Sequence, residues 1–392
     1  MPDPLNLDNQ PDVETFRNRV MASTRIPQEQ KEDIIANVLL LNSYFHLQPG
    51  MSVFTIRAIP PKQHAYFDFH PIYNEYYVEI GNAGYVFDLY KAWQFGLQIS
   101  TFASCPGFEE LIQAIQRNPQ KIEDYIFEAE MAFLCKHTFA GGDFKFNQPY
   151  MIKGRLKYPD FEFTSSLGRL IVECKRLHYR EMQLNRRYEE LQEELQEKIS
   201  QLGLDETHRV EVKLAGAIPS IKSFVTNFEK QVALHDLAEE VSYQEGENEI
   251  WIAKQNTPLH FNGSFLSRHS MATVNADMPT PMGTDVAYCV LVVPEEAYIK
   301  LVTKLGDLIN EASGQIPPSY MGLIFIDTPH TQALEQAWKR KDLKRHYTNI
   351  LALGIYHKQN VVLHHRTTDE GKIRQLIQKK AMEADNSSQE DC

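Results

Sequence analysis

Two runs, Ala287–Val293 (AYCVLVV) and Met321–Asp327 (MGLIFID), are short and almost wholly apolar. A strand with one wet face alternates apolar and polar residues; a run without alternation belongs to a strand covered on both faces. Such a strand needs layers above and below it, and helices are the usual cover. Helical spacing predicts helices over Gln28–Phe45, Gly107–Ile115, Lys121–His137, Tyr179–Ile199, Ser220–Glu240 and Ala297–Ala312, with another opening at Gln332. Further strands are expected at Val210–Leu214, Ile350–Tyr356 and Asn360–His364. The rhythm is that of an α/β protein with a helix-covered central sheet. In 392 residues, 43% of them hydrophobic, there is ample material for a large core and an appended region. The first 24 or so residues are polar and are expected to be frayed.

The chemistry concentrates between residues 121 and 187. Lys121–His137 ends at Ala140-Gly141-Gly142, and strand-like stretches follow at Asp143–Phe146, Tyr150–Ile152, Lys157–Phe163 and Gly168–Cys174. Tyr158-Pro159-Asp160 lies in the third stretch, and Ile171-Val172-Glu173-Cys174-Lys175-Arg176 spans the end of the fourth. Strand side chains alternate, so Glu173 and Lys175 share a face and Cys174 takes the other. If the connection Thr164–Gly168 folds the two strands together, Asp160 and Glu173 come within reach of one cation. Two carboxylates and the Cys174 carbonyl are hard oxygen donors suited to Mg²⁺, with Mn²⁺ as a substitute. Lys175 would orient a water or stabilise charge growing on a phosphoryl oxygen. The upstream helix offers Glu128 and Glu130, about 200° apart around its axis; Glu128 shares a face with Tyr125 and Ala132 and is the one expected to point at the sheet. Taken singly, a Pro-Asp pair is an ordinary turn and an ExK an ordinary surface ion pair.

In order and spacing this series resembles the PD-(D/E)xK nuclease superfamily, the restriction-endonuclease-like fold. The resemblance implies a mixed central sheet flanked by helices, here with an N-terminal α+β extension. It assigns catalytic roles to Asp160, Glu173, Lys175 and Glu128, and metal binding to Asp160, Glu173, Glu128 and the Cys174 carbonyl. Arg176, with Gln183 or Arg187 on the following helix, would meet the substrate backbone. The domain reading that follows is 1–115 as an extension of unknown role, 116–384 as the nuclease domain with an insert around 205–285, and 385–392 as a tail. The expected activity is Mg²⁺-dependent endonucleolytic cleavage, with DNA favoured over RNA, in defence or DNA processing. The rival expectation is a non-catalytic nucleic-acid sensor or scaffold on the same fold. The QxxxY pattern of the exonuclease branch is missing, because Gln183 is followed by Tyr188, one position too far.

A net charge of −12 weighs against binding nucleic acid through the overall field, though bound cations and a local basic cleft can offset it. Lys339–Arg345 (KRKDLKR) is the densest basic run, readable as a phosphate contact or as a solvated helix face. The ELQEELQEK stretch within Arg180–Lys198 offers a surface for a second copy, hence a homodimer, or for a partner protein. Five scattered cysteines without a CxxC pair, no signal-peptide layout at Met1–Asn9 and no long apolar run lead to the expectation of a cytoplasmic protein without membrane contact.

Overall fold

A computed structural model describes residues 5–7, 10–45, 54–58, 76–80, 85–118, 121–166, 168–177, 186–204, 207–215, 220–235, 237, 239–255, 257, 260–261, 263–267, 270–274, 289–328, 330–339, 348–357, 360–365 and 375. Among these the first elements are β1 (Leu5–Asn6), α1 (Gln10–Ala22), α2 (Gln28–Phe45), β2 (Phe54–Ala58), β3 (Tyr76–Ile80), β4 (Tyr85–Asp88), α3 (Leu89–Phe102), α4 (Phe108–Arg117) and α5 (Ile122–Thr138). The middle of the chain supplies β5 (Gly142–Phe146), β6 (Tyr150–Ile152), β7 (Arg155–Lys157), β8 (Phe161–Ser165), β9 (Gly168–Arg176), α6 (Arg186–Gln201), β10 (His208–Lys213) and α7 (Ile221–Leu234). Then come β11 (Val241–Glu245), β12 (Asn248–Lys254), β13 (Gly263–Ser267), β14 (Ser270–Val274), β15 (Cys289–Val293), α8 (Glu295–Ser313), β16 (Met321–Asp327), α9 (Thr331–Lys339), β17 (Ile350–His357) and β18 (Asn360–His365).

The fold is mixed α/β. Strands pair in the orders β1-β2-β3-β4, β11-β12-β10-β15-β13-β14 and β18-β17-β16-β9-β8-β5, with β6-β7 as a separate hairpin. The chain divides into two compact units. The first comprises 1–174, 315–323 and 367–392, and the second 175–314 and 324–366, so the division passes within β9 and within β16. The first unit holds helices α1 to α5 and an aromatic core in which Phe102, Phe108, Phe144, Phe146 and Phe161 lie ring against ring. Phe102 and Phe108 come from α3 and α4, and the other three from β5 and β8, whose alternation leaves Lys145 and Glu162 for the opposite face. Gly107 permits this packing: its φ is +81°, and a Cβ there would stand 2.0 Å from the Phe146 carbonyl oxygen. The second unit holds helices α6 to α9 and the sheet centred on β10, antiparallel to β12 and parallel to β15.

Four expectations change. The polar first 24 residues contain helix α1, whose Phe16 and Val20, four apart, are both buried; a two-residue stripe is too narrow to stand out in a polar sequence. The Lys157–Phe163 stretch is broken into β7 and β8, because Pro159 has no N–H to give a ladder, and Asp160 sits in the bend between them. The helix expected over Ser220–Glu240 ends at Leu234, where His235 takes an extended backbone conformation. Most consequentially, β15 does not share a sheet with β16; it joins strands from the 205–285 segment to make a six-stranded sheet of its own. Residues 385–392, residues 340–345 of the basic run and the segment 178–185 lie outside the described residues. No described helix is long and apolar enough to cross a membrane.

Candidate active site

The β8–β9 hairpin forms as the sequence predicts, with Phe161 opposite Val172, Glu162 opposite Ile171 and Ser165 opposite Gly168. Ser165 Oγ donates to the Gly168 carbonyl at 3.1 Å across the turn. The ladder ends at the Phe161–Val172 pair, and Asp160 and Glu173 are the next residues along the two chains. Two contacts hold Asp160 there. Its carbonyl accepts the Asn147 N–H at 3.0 Å, and its Oδ2 accepts the Cys174 N–H at 2.6 Å. The second bond continues the strand pairing with a side chain where β8 has no backbone partner to offer.

Glu173 is only 2% exposed, which is rare for a carboxylate. Cys174, on the other face, looks toward α5, where buried Cys135 lies nearby. Burial pushes the Cys174 thiol well above its usual range, and the charges of Asp160, Glu128 and Glu173 push the same way. The Tyr125 hydroxyl is also raised, first by burial, then by Glu128 and Asp124, with a further push from Asp160. Glu128 and Asp160 therefore act on the same two side chains, and Glu128 of α5 is felt at Cys174 near the end of β9. That is the Cys174 side of the strand, whereas alternation puts Glu173 on the opposite face. Among the described residues, no three His, Cys, Asp or Glu side chains are gathered into a ready-made cation cage.

Beyond Cys174 the strand carries two ion pairs. Lys175 Nζ lies 3.4 Å from Glu311 Oε1 of α8, and Arg176 Nε donates to Asp327 Oδ2 at 2.7 Å. The Asp327 carbonyl also accepts the Leu177 N–H at 3.0 Å. Arg176, expected at the substrate backbone, is thus oriented by Asp327 at the end of β16. Gln183 lies outside the described residues, and Arg187 is on α6 with its side chain undescribed.

Sequence reasoning missed Glu311 and a second buried acid, Glu162. Glu162 receives the Tyr150 hydroxyl and the Arg169 guanidinium on Oε2, and Lys145 Nζ stands 3.4 Å from Oε1. Its signal was present: it lies two residues after Asp160, inside the apolar stretch Phe161-Glu162-Phe163. Glu311 gave no local signal, being an exposed helix residue whose partner is more than a hundred positions away. Comparison with protein-family models, curated proteins and solved structures yields no match.

Proposed function

We propose that this chain is a metal-dependent nuclease that hydrolyses phosphodiester bonds in DNA, acting as an endonuclease on a restriction-endonuclease-like fold. The observation that carries the reading is the Asp160 Oδ2 to Cys174 N–H bond, which ties the Pro-Asp carboxylate to the strand bearing Glu173 and Lys175. The charge of Glu128 at the same strand end adds a third acid. Carboxylate and carbonyl oxygens are hard donors; they fit Mg²⁺ or Mn²⁺, which is commonly held by one or two carboxylates together with water and phosphate oxygens. Lack of a three-residue cage therefore argues against a closed structural site and not against Mg²⁺.

Asp160 and Glu173 would hold the ion, with the Cys174 carbonyl and Glu128 as further donors. When bound, Mg²⁺ supplies a more acidic water and neutralises phosphate charge. Lys175, two residues from Glu173 on one strand, would meet the charge developing on the phosphoryl oxygen or orient the attacking water. Its present partner, Glu311, is 61% exposed, and such a pair is worth only about 0–1 kcal/mol. Exchanging Glu311 for a phosphate therefore costs little at that contact. Arg176, braced by Asp327, keeps the strand end in place behind it.

Incubation of the purified protein with plasmid DNA, single-stranded DNA and RNA, with Mg²⁺ or Mn²⁺ and with chelator, tests the reading. Cleavage is expected with metal alone, and Asp160→Asn or Lys175→Ala should lower it on the order of 10²-fold or more. Cleavage that survives both substitutions rules the assignment out. The ion pairs on Lys175 and Arg176 favour the rival reading, a non-catalytic nucleic-acid sensor or scaffold. That reading predicts nucleic-acid binding without cleavage in any metal.

A further inference from the structure

The β6–β7 hairpin lies directly before the Pro-Asp bend. Its register is Tyr150 opposite Lys157, Met151 opposite Leu156 and Ile152 opposite Arg155. Lys153 (φ +50°) and Gly154 (φ +72°) form its two-residue turn, both left-handed as a type I′ turn requires. Asparagine or glycine is the favoured first residue there, so the lysine at the tip sits in a conformation that its Cβ disfavours.

One face of the hairpin, that of Tyr150 and Ile152, is fixed. Ile152 is buried, the Tyr150 hydroxyl donates to buried Glu162, and Arg169 Nη2 donates to the Tyr150 oxygen at 2.6 Å. The Arg169 guanidinium also lies 5.1 Å from the centre of the Tyr320 ring, which meets the Tyr150 ring edge-on at 5.6 Å. The other face is the reverse. Met151 (68% exposed) and Leu156 (49%) form a cross-strand apolar pair that faces water, and Tyr158, just past the hairpin, is 51% exposed. Lys153 is exposed in the turn, Arg155 is exposed and Lys157 half so on the Ile152 side, and residues 150–158 contain no acid, in a chain of net charge −12.

We propose that this hairpin is the element that grips DNA, with Lys153, Arg155 and Lys157 on phosphates and Met151 and Leu156 against sugar or base faces. The proposal rests on the nuclease reading for its substrate. A local basic patch on an acidic chain selects a polyanion by charge complementarity. A two-stranded ribbon enters a DNA groove, and aliphatic side chains such as Met and Leu wedge against base steps. A ribbon anchored by one face binds without first being ordered, and water lost from the apolar pair adds to the phosphate contacts. Placement suits the task too: Lys157 to Asp160 is three residues, about 10 Å if extended. A backbone held by the hairpin is thereby led to the carboxylates.

The experiment is fluorescence anisotropy of labelled duplex DNA and of the matching single strand, in chelator, with salt titrated. Binding in chelator needs no catalysis. Lys153→Glu/Arg155→Glu is expected to weaken binding about tenfold or more, on the DNA form that the native protein prefers, and to reduce the salt slope by roughly two. Met151→Ser/Leu156→Ser should weaken binding with the slope unchanged, since it removes no phosphate contact. Should the charge-reversed pair fold poorly by thermal melting, Lys153→Ala/Arg155→Ala replaces it, with the same slope change. The proposal fails if the native protein binds neither DNA form. It fails equally if the charge variants keep native DNA affinity, or if they lose binding to phosphatidylserine vesicles and not to DNA. Hairpin-dependent binding without cleavage in Mg²⁺ would remove the nuclease reading and keep the grip; cleavage with an unchanged KM in the hairpin variants would do the opposite.

Discussion

Glu211 of β10 and Glu173 of β9 are both buried glutamates on strands, and their surroundings differ in kind. Around Glu211, Arg209 Nε donates at 2.9 Å and the His260 and Phe261 N–H groups donate at 3.0 and 3.2 Å. Arg209 in turn donates to the Gln255 and Thr257 carbonyls. That charge is neutralised by the protein itself. At Glu173 the chain instead brings more acid: Asp160 is tied to the next residue, and Glu128 acts on Cys174. A structural site cancels its own charge, since a buried uncompensated ion costs several kcal/mol. Carboxylates gathered at one strand end repel one another and favour a bound cation, which is why the second arrangement carries the proposed chemistry.

The comparison breaks if Arg209 proves dispensable. Arg209→Leu leaves Glu211 buried without its cation and should cost about 3–5 kcal/mol in denaturant unfolding. Next comes metal: Mg²⁺ at about a hundred times its dissociation constant should stabilise the native protein by about 2.7 kcal/mol, read as a rise in melting temperature. Asp160→Asn should abolish that rise, while Arg209→Leu should retain it.

A pH series sharpens the contrast. Burial raises the Glu211 carboxyl above its ordinary value more strongly than Arg209 and the two amides lower it. The folded state then holds this proton more tightly than the unfolded chain, so the stability it contributes is present below the unfolded pKa. It is lost as pH rises from there through the folded pKa, and Glu211→Gln should flatten that part of the stability profile. The smallest effect is at Glu162, whose Lys145 partner is half open to water: Lys145→Ala should cost no more than about 1 kcal/mol, measured by thermal melting.

Local signals were legible with some accuracy. Helix α2 and strand β16 span the very residues, Gln28–Phe45 and Met321–Asp327, that periodicity and apolar run-length indicate. The β8–β9 hairpin follows from its turn and flanking strands. Asp160 was misplaced by a residue type whose effect is known: Pro159 ended the strand early. Strand β15 and the partner of Lys175 were not legible, because AYCVLVV says that a strand is covered without saying which neighbours cover it.

By itself, then, the sequence determined which segments are helices or strands, and that Glu173 and Lys175 lie on a strand joined by a tight turn to the one that follows Asp160. Those properties arise from backbone sterics and side-chain periodicity within a few residues. Only the tertiary structure decided that β15 and β16 lie in different sheets, that Asp160 reaches Cys174 through its side chain, and that Glu311 and Asp327 meet Lys175 and Arg176. These depend on chain segments up to 151 residues apart, and they are chosen by long-range packing and charge, for which no local stretch of sequence carries a preference.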